Sequence, residues 1–409
     1  MPENSIKERC HINTNWDTDT FVGIKCDDGK FSINFPLGFH ISNDEKGLRR
    51  DILLMLTVLS EMVDKKDSVI MKDATKLNIQ GFPVQAYLFL IADYYNHGYY
   101  KEREIQYQVN SRGKINWGRT IKTQRPYIQD LDTFYLKFVT RNNPINENEI
   151  ITLIHEFCVY ESFCKLGWLF TSSLPQKPRI KFNKKYFKVV LKEKYSKTFN
   201  DRNKELFMNM IAVIDSMQNQ DSPLMFEYGI DPFDYVWELM IDTVYGIRGK
   251  ELYYPNTSWS ICGTDSDNRE LRPDSIMIYN GNVFVLDAKN YKYGHTKKLG
   301  DLPKSTDINK QITYGEYIDE QKKFRKMHGN DFVTYNAFLM PFDKHEWHTE
   351  KTVLRIGEAT GNWKTGDKTY ERIQGVLIDV KFLMNQVVHP VKDTIEKLGN
   401  CIETALKNR

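Results

Sequence analysis

The sequence predicts a mixed α/β protein: a C-terminal core with a central mixed sheet flanked by helices, preceded by an N-terminal α+β domain. Three observations carry this. Ser275–Tyr279 and the run 283–286 are apolar and partly β-branched, and Asn280-Gly281 joins them with the strongest short hairpin signal. Helical spacing precedes that hairpin at 232–245 and follows it at 306–326. Two further apolar strand candidates, 331–340 and 373–379, come next, and 382–407 closes the chain as a helix. Helices and strands in this order sandwich a sheet between helical layers.

At 409 residues the chain is long for a single core, so two domains are expected, 1–176 and 177–409. With 41% hydrophobic and 13% aromatic residues it has the composition of a soluble globular protein. A formal net charge of +3 leaves any nucleic-acid affinity to local patches. The first ten residues, MPENSIKERC, are polar, so no signal peptide is expected, and no stretch approaches the roughly 20 apolar residues of a membrane span. Cys10, Cys26, Cys158, Cys164, Cys262 and Cys401 show neither a CxxC pair nor disulfide-framework spacing. They read as reduced thiols of a cytoplasmic protein.

In the N-terminal half, short strands are expected at 20–24 and 31–35, and helices at 48–63 and 81–95, the latter stopped by His97-Gly98. Ile105, Tyr107 and Val109 then alternate with polar residues, 111–113 can turn, and 115–121 returns. This reads as a β-hairpin carrying Arg112, Lys114, Trp117, Arg119, Lys122 and Arg125. Either it is a ribbon contacting DNA or a partner, or Trp117 is core and the cations form a solvated face. The long apolar helix 147–170 holds His155, Cys158 and Cys164, whose spacing is no zinc pattern and fits a buried face.

From Lys177 to Lys204, eleven Lys/Arg face only Glu193 and Asp201, a net +9 over 28 residues, with Phe182, Tyr186, Phe187 and Tyr195 interleaved. Lys181, Lys184, Lys185 and Lys188 are its candidate DNA contacts, because basic residues mixed with aromatics suit a groove that tracks a nucleic-acid backbone. Helices follow at 204–217 and 232–245. In the second, Phe233, Val236, Trp237, Met240, Ile241 and Val244 form one apolar face, with Glu238 at its edge.

The chemistry is concentrated in the hairpin. Side chains alternate along a strand, so Asp287 and Lys289 share a face while Ala288 points to the other. A two-residue turn sets a register that brings Asp274 towards Asp287. Two carboxylates and an ammonium at a strand end fit metal-assisted hydrolysis. A hard cation such as Mg²⁺ would be held by Asp274, Asp287 and the carbonyl of Ala288. Lys289 would orient or deprotonate the attacking water and offset charge on the phosphorus. The acid-x-Lys spacing alone is common here. Asp379/Lys381, after the apolar run 375–378, is the serious decoy, but it lacks the Pro-Asp strand and hairpin. His345-Glu346-Trp347-His348 lacks the i, i+4 histidine spacing of a helical zinc motif and reads as loop.

Pro273-Asp274 with Asp287-Ala288-Lys289 resembles the PD-(D/E)xK nuclease superfamily. That resemblance implies a restriction-endonuclease-like core, Glu238 as an extra metal ligand or orienter, and Gln311 near the water or scissile phosphate. Glu238 as a solvent-facing helix residue stays open. Together with Gly113-Lys-Ile-Asn-Trp117-Gly-Arg-Thr120-Ile and Lys310-Gln-Ile-Thr-Tyr314, these motifs resemble the LlaJI family of restriction endonucleases, relatives of the McrC nuclease subunit. The resemblance implies a Mg²⁺-dependent subunit that cleaves double-stranded DNA in a bacterial restriction system, with an McrB-like AAA+ GTPase partner. The sequence contains no GxxxxGK[ST] loop, so nucleotide hydrolysis would come from that partner. A duplex cut needs two centres, so a dimer or paired recruitment is expected. A non-catalytic DNA-binding or assembly subunit, and a repair or junction nuclease on the same fold, are the alternatives.

Overall fold

The computed structural model describes all residues except 1–5, 17, 28, 65–81, 103–105, 131, 143–148, 218–225, 263, 268–269 and 408–409. Gly81, Ile105 and Glu147, the expected starts of three elements, lie outside the described residues. The chain forms two compact units, 1–82 with 223–409, and 83–222. This differs from a single cut at 176/177. The cause is strand pairing: Phe226–Ile230 returns to the Val22–Asp27 strand, with Val22 opposite Ile230 and Cys26 opposite Phe226. The basic run 177–204 therefore belongs to the unit without the hairpin.

In the first unit, a mixed five-stranded sheet runs in the order Ser275–Tyr279, Asn282–Ala288, Thr334–Phe342, Ile373–Asp379, Val353–Ala359. The two outer pairs are antiparallel and the three central strands are parallel. Asn280 and Gly281 both take positive φ, 50° and 77°, as a primed two-residue turn requires, which fixes the hairpin register. Strands inside a parallel sheet are covered on both faces, and every residue of Thr334–Phe342 is buried.

On one face, Tyr314 and Ile318 of the Ser305–Glu320 helix pack against Ile276, Val283 and Val285. On the other lie the helices Asp234–Tyr245 and Thr394–Lys407, the latter so close that Gly399 abuts the Tyr279 ring. Trp237, fully buried, donates from Nε1 to the Leu339 carbonyl at 3.1 Å and locks its helix to the sheet. A second sheet orders Cys10–Ile12, Lys30–Phe35, Val22–Asp27 and Phe226–Ile230, matching the strands expected near 20–24 and 31–35.

Two expected long helices break. The 306–326 segment divides into Ser305–Glu320 and Lys322–His328, because extended Gln321 turns Phe324 in to stack on Tyr253. The closing helix divides into Val380–Val388 and Thr394–Lys407. Pro390 lacks a donor and drives His389 out of the helical region, to φ −132° and ψ 77°.

The second unit packs the helices Val84–His97, Ile150–Leu166, Lys184–Lys197 and Asp201–Ser216. His155 is buried, accepts from the Tyr100 amide at 2.8 Å, and has its pKa lowered to about 4 by burial. It behaves as a core histidine, as its helix predicts. The expected 105–121 hairpin is corrected. Gln106–Val109 and Lys114–Ile115 both pair with Val139–Asn142, and the return limb is the Trp117–Thr123 helix. Asn116 causes this by capping the Arg119 amide at 3.0 Å, an option that alternation of side chains does not reveal. No helix among the described residues is long and apolar enough to cross a membrane.

Candidate active site

The ladder sets Ser275 opposite Leu286, so one step further Asp274 lies opposite Asp287. Asp274 Oδ2 accepts from the Ala288 amide at 2.8 Å, which fixes its carboxylate at the end of the Asn282–Ala288 strand. Ala288 is itself buried, on the face opposite the two acids. Lys289 Nζ lies 2.8 Å from Asp287 Oδ2, and its amide donates to Leu339 O, the carbonyl that Trp237 also uses. Glu238, next to Trp237 in the Asp234–Tyr245 helix, is near enough to Lys289, Asp287 and Asp274 to couple to them electrostatically. Its titration senses Lys289, Asp287, Asp234 and Lys310. The structure thus brings Asp274, Asp287, Lys289 and Glu238 together.

The electrostatics are those of carboxylates short of counter-charge. Burial, aided by Asp287 and Asp234 and opposed by Lys289 and Lys310, pushes the Glu238 carboxyl up to about 7. Burial, then Asp287 and Glu238, drives Asp274 well above the usual carboxylate range. Burial works against the charge of Lys289, but Asp287, then Asp274 and Asp307, outweigh it and hold the ammonium above the ordinary lysine value. A lysine so held donates hydrogen bonds and offsets negative charge.

The donor set suits a hard cation. Asp287 is 2% exposed, and its Oδ1 has no hydrogen-bond partner within the protein. A buried carboxylate oxygen left unpaired is costly unless something else meets it. The oxygens of Asp274, Asp287 and Glu238 do not all lie within 4.8 Å of one another, and Lys289 Nζ sits beside Asp287 Oδ2.

Gln311 is placed differently from the expectation. It is buried, and its amide nitrogen donates to Val285 O at 2.8 Å, so it braces the Ser305–Glu320 helix against the strand. Its neighbours Asn309 and Lys310 are exposed instead. Sequence reasoning also missed Asp307 and Lys250. Asp307 Oδ1 is 3.5 Å from Lys289 Nζ, while Oδ2 accepts from the Lys304 amide and the Tyr291 hydroxyl. Its position in the first helical turn was the available signal. Lys250, buried, donates to Asp274 O and pairs with Asp242 at 2.8 Å, and no local pattern marks it.

The expected DNA contacts fall in the second unit. Arg112, Lys114, Trp117 and Arg119 are exposed, with the Arg119 guanidinium 3.6 Å from the Tyr107 ring centroid and Trp117 edge-on to Phe138. Trp117 is therefore not core. In the basic run, Lys184 donates to the carbonyls of Asp215 and Met217, and Lys188 pairs with Asp215 at 2.6 Å. Those two cations serve the fold, whereas Lys181 and Lys185 are exposed.

The sequence profile of LlaJI restriction endonucleases matches residues 21–353. The chain is 27% identical over 263 residues to the Type II restriction enzyme BsuMI component YdjA of Bacillus subtilis (strain 168). That alignment covers 60% of this chain and 55% of the relative, so the chain spans only about half the relative's length. A weaker likeness is to a chain of the refined half-complex from the tetradecameric assembly of Thermococcus gammatolerans McrB AAA+ hexamers with bound McrC. Its TM-score is 0.36 and its identity 14%, covering 94% of this chain and 83% of the other, a level on which nothing further rests.

Proposed function

The chain belongs to the LlaJI restriction endonuclease family, and from that premise we propose that it is the DNA-cleaving subunit of a restriction system, hydrolysing backbone phosphodiesters with Mg²⁺. The observation that carries this reading is the buried, unpartnered Asp287 Oδ1 beside Asp274 and Lys289. Asp287, Asp274 and Glu238 are the residues that would hold the cation, with the Ala288 carbonyl as a further ligand. When bound, the cation supplies Lewis-acid polarisation of the phosphate. The chain's own residues do the rest. Lys289, kept as an ammonium, donates to the attacking water or a phosphate oxygen and offsets the charge that develops there. Asp307 keeps that ammonium from collapsing wholly onto Asp287. Lys310, exposed on the same helix, offers a further charge for a DNA backbone.

The wider assembly is part of the same proposal. Double-stranded DNA is the substrate, and a duplex cut requires two centres, from a dimer or from paired recruitment. The Bacillus relative is described as a component, and this sequence lacks a GxxxxGK[ST] loop, which supports a separate McrB-like AAA+ GTPase partner. Arg112, Lys114, Trp117 and Arg119, with Lys181 and Lys185, are assigned to DNA or partner contact.

The test is plasmid cleavage in Mg²⁺ by the full chain with the products of its neighbouring genes. Wild type should cut, and Asp287→Ala should fall to background while binding DNA or partner as before. Cleavage by Asp287→Ala at the wild-type rate would end the reading.

A further inference from the structure

We propose that His40, Asp343 and His345 form a second metal site, one for a transition-metal dication of the zinc class, independent of the hard-cation site. The three residues come from two distant stretches of the first unit. His40 lies in the loop after the Lys30–Phe35 strand, and Asp343 and His345 follow directly on the Thr334–Phe342 strand. Each offers a ligand atom, and all three atoms lie within 4.8 Å of one another, the only such trio among the described residues.

The site is built rather than incidental. Asp343 is 6% exposed; its Oδ1 is tied to the His345 amide at 2.8 Å, which aims Oδ2 at His40 Nδ1, 3.0 Å away. The imidazoles of His40 and His345 lie against each other with centroids 3.9 Å apart. The backbone around His40 is held too. Gly38, at φ +75°, passes so close to Phe342 that a Cβ would sit 3.1 Å from its backbone, and this seats the His40 loop against the strand end. Lys381, paired with Asp51, donates to His40 O at 3.2 Å and to Ser42 Oγ at 3.0 Å.

The donor chemistry selects the metal. Two neutral imidazoles and one carboxylate suit Zn²⁺ or Co²⁺, whereas Mg²⁺ prefers oxygen ligands throughout. A histidine–aspartate hydrogen bond needs one imidazole, and the second, on the exposed His345, is what turns the pair into a three-point donor set. With three protein ligands, the fourth position stays open to solvent. Glu346 does not compete, since it pairs with His295 at 3.0 Å.

The experiment uses the full chain, stripped with chelator and desalted, then titrated with Co²⁺ and followed by visible absorption, with Zn²⁺ displacement as a check. Asp287→Asn, in which the hard-cation site is disabled, should bind one equivalent in tetrahedral or five-coordinate form, and wild type should bind that equivalent plus a weaker one at the carboxylates. His345→Gln should weaken that binding about tenfold or more; because His345 is exposed, its loss spares the fold. His40→Gln should do the same, with the metal-free circular dichroism of each variant as the folding control. Wild type that binds no Co²⁺, or His345→Gln that binds it as tightly as wild type, overturns the proposal.

Discussion

Two copies of the same spacing, Asp287-x-Lys289 and Asp379-x-Lys381, stand at the carboxyl ends of parallel strands in one sheet, and their side chains meet opposite fates. Asp379 spends both oxygens on backbone amides: Oδ1 accepts from Phe382, capping the Val380–Val388 helix, and Oδ2 accepts from Lys344. Lys381 is consumed by Asp51, His40 O and Ser42. At the other strand end, Asp287 keeps one oxygen unpartnered, and Lys289 is shared between two acids. Chemistry is available where the fold leaves valences uncommitted. The residue pair alone does not decide it.

The sharpest way to break that contrast is the matched pair of lysine substitutions. Lys289→Ala should cut cleavage per folded molecule by about 10²- to 10³-fold, the scale of losing one preorganised donor, on top of any stability lost by leaving the buried Asp287 without its cation. Lys381→Ala should cost roughly 1–3 kcal/mol of stability by leaving the buried Asp51 without its cation, yet cleave normally per folded molecule. Cleavage rates beside urea melts separate the two, and equal catalytic losses would erase the distinction.

A smaller effect probes why Lys289 stays available. Asp307→Asn should slow cleavage by about tenfold, or ~1.4 kcal/mol in the barrier, with unchanged DNA affinity, because it removes the second acid that holds the ammonium. No change in rate, with Lys289→Ala inactive, would reduce Asp307 to a helix cap.

The smallest effect is on stability against pH. An acid whose folded pKa is raised stabilises the fold in its protonated form. That contribution is complete below the unfolded value of 4.5 and is lost as pH climbs through about 7. In chelator, the Tm of wild type should therefore decline across that window, and Glu238→Gln should flatten part of the decline. Asp274, raised for related reasons, contributes in the same direction, as do Glu161 and Asp379, both raised by burial. Parallel curves for the two proteins would show that Glu238 is not buried among acids.

What the residues disclosed in advance was local. Asn280-Gly281 set the hairpin register, Pro273-Asp274 and the 287–289 triplet marked the acids, and the 232–245 periodicity carried Glu238. What stayed hidden depended on partners far along the chain. The pairing of Val22–Asp27 with Phe226–Ile230 joins residues some 200 positions apart, and no window registers it. Lys250 finds Asp274 O only after folding. Pro390, by contrast, was a visible helix stop that the apolar spacing on either side overrode.

The stacking of Phe82 on Phe226, with ring centroids 4.0 Å apart, has a consequence for how the chain is made and remade. Phe82 and Phe226, which bracket 83–222 in the chain, touch, so this segment is topologically a cassette. A ribosome must finish it before the Val22–Asp27 sheet receives its last strand, Phe226–Ile230. A short flexible bridge in its place would span only the width of two aromatic rings.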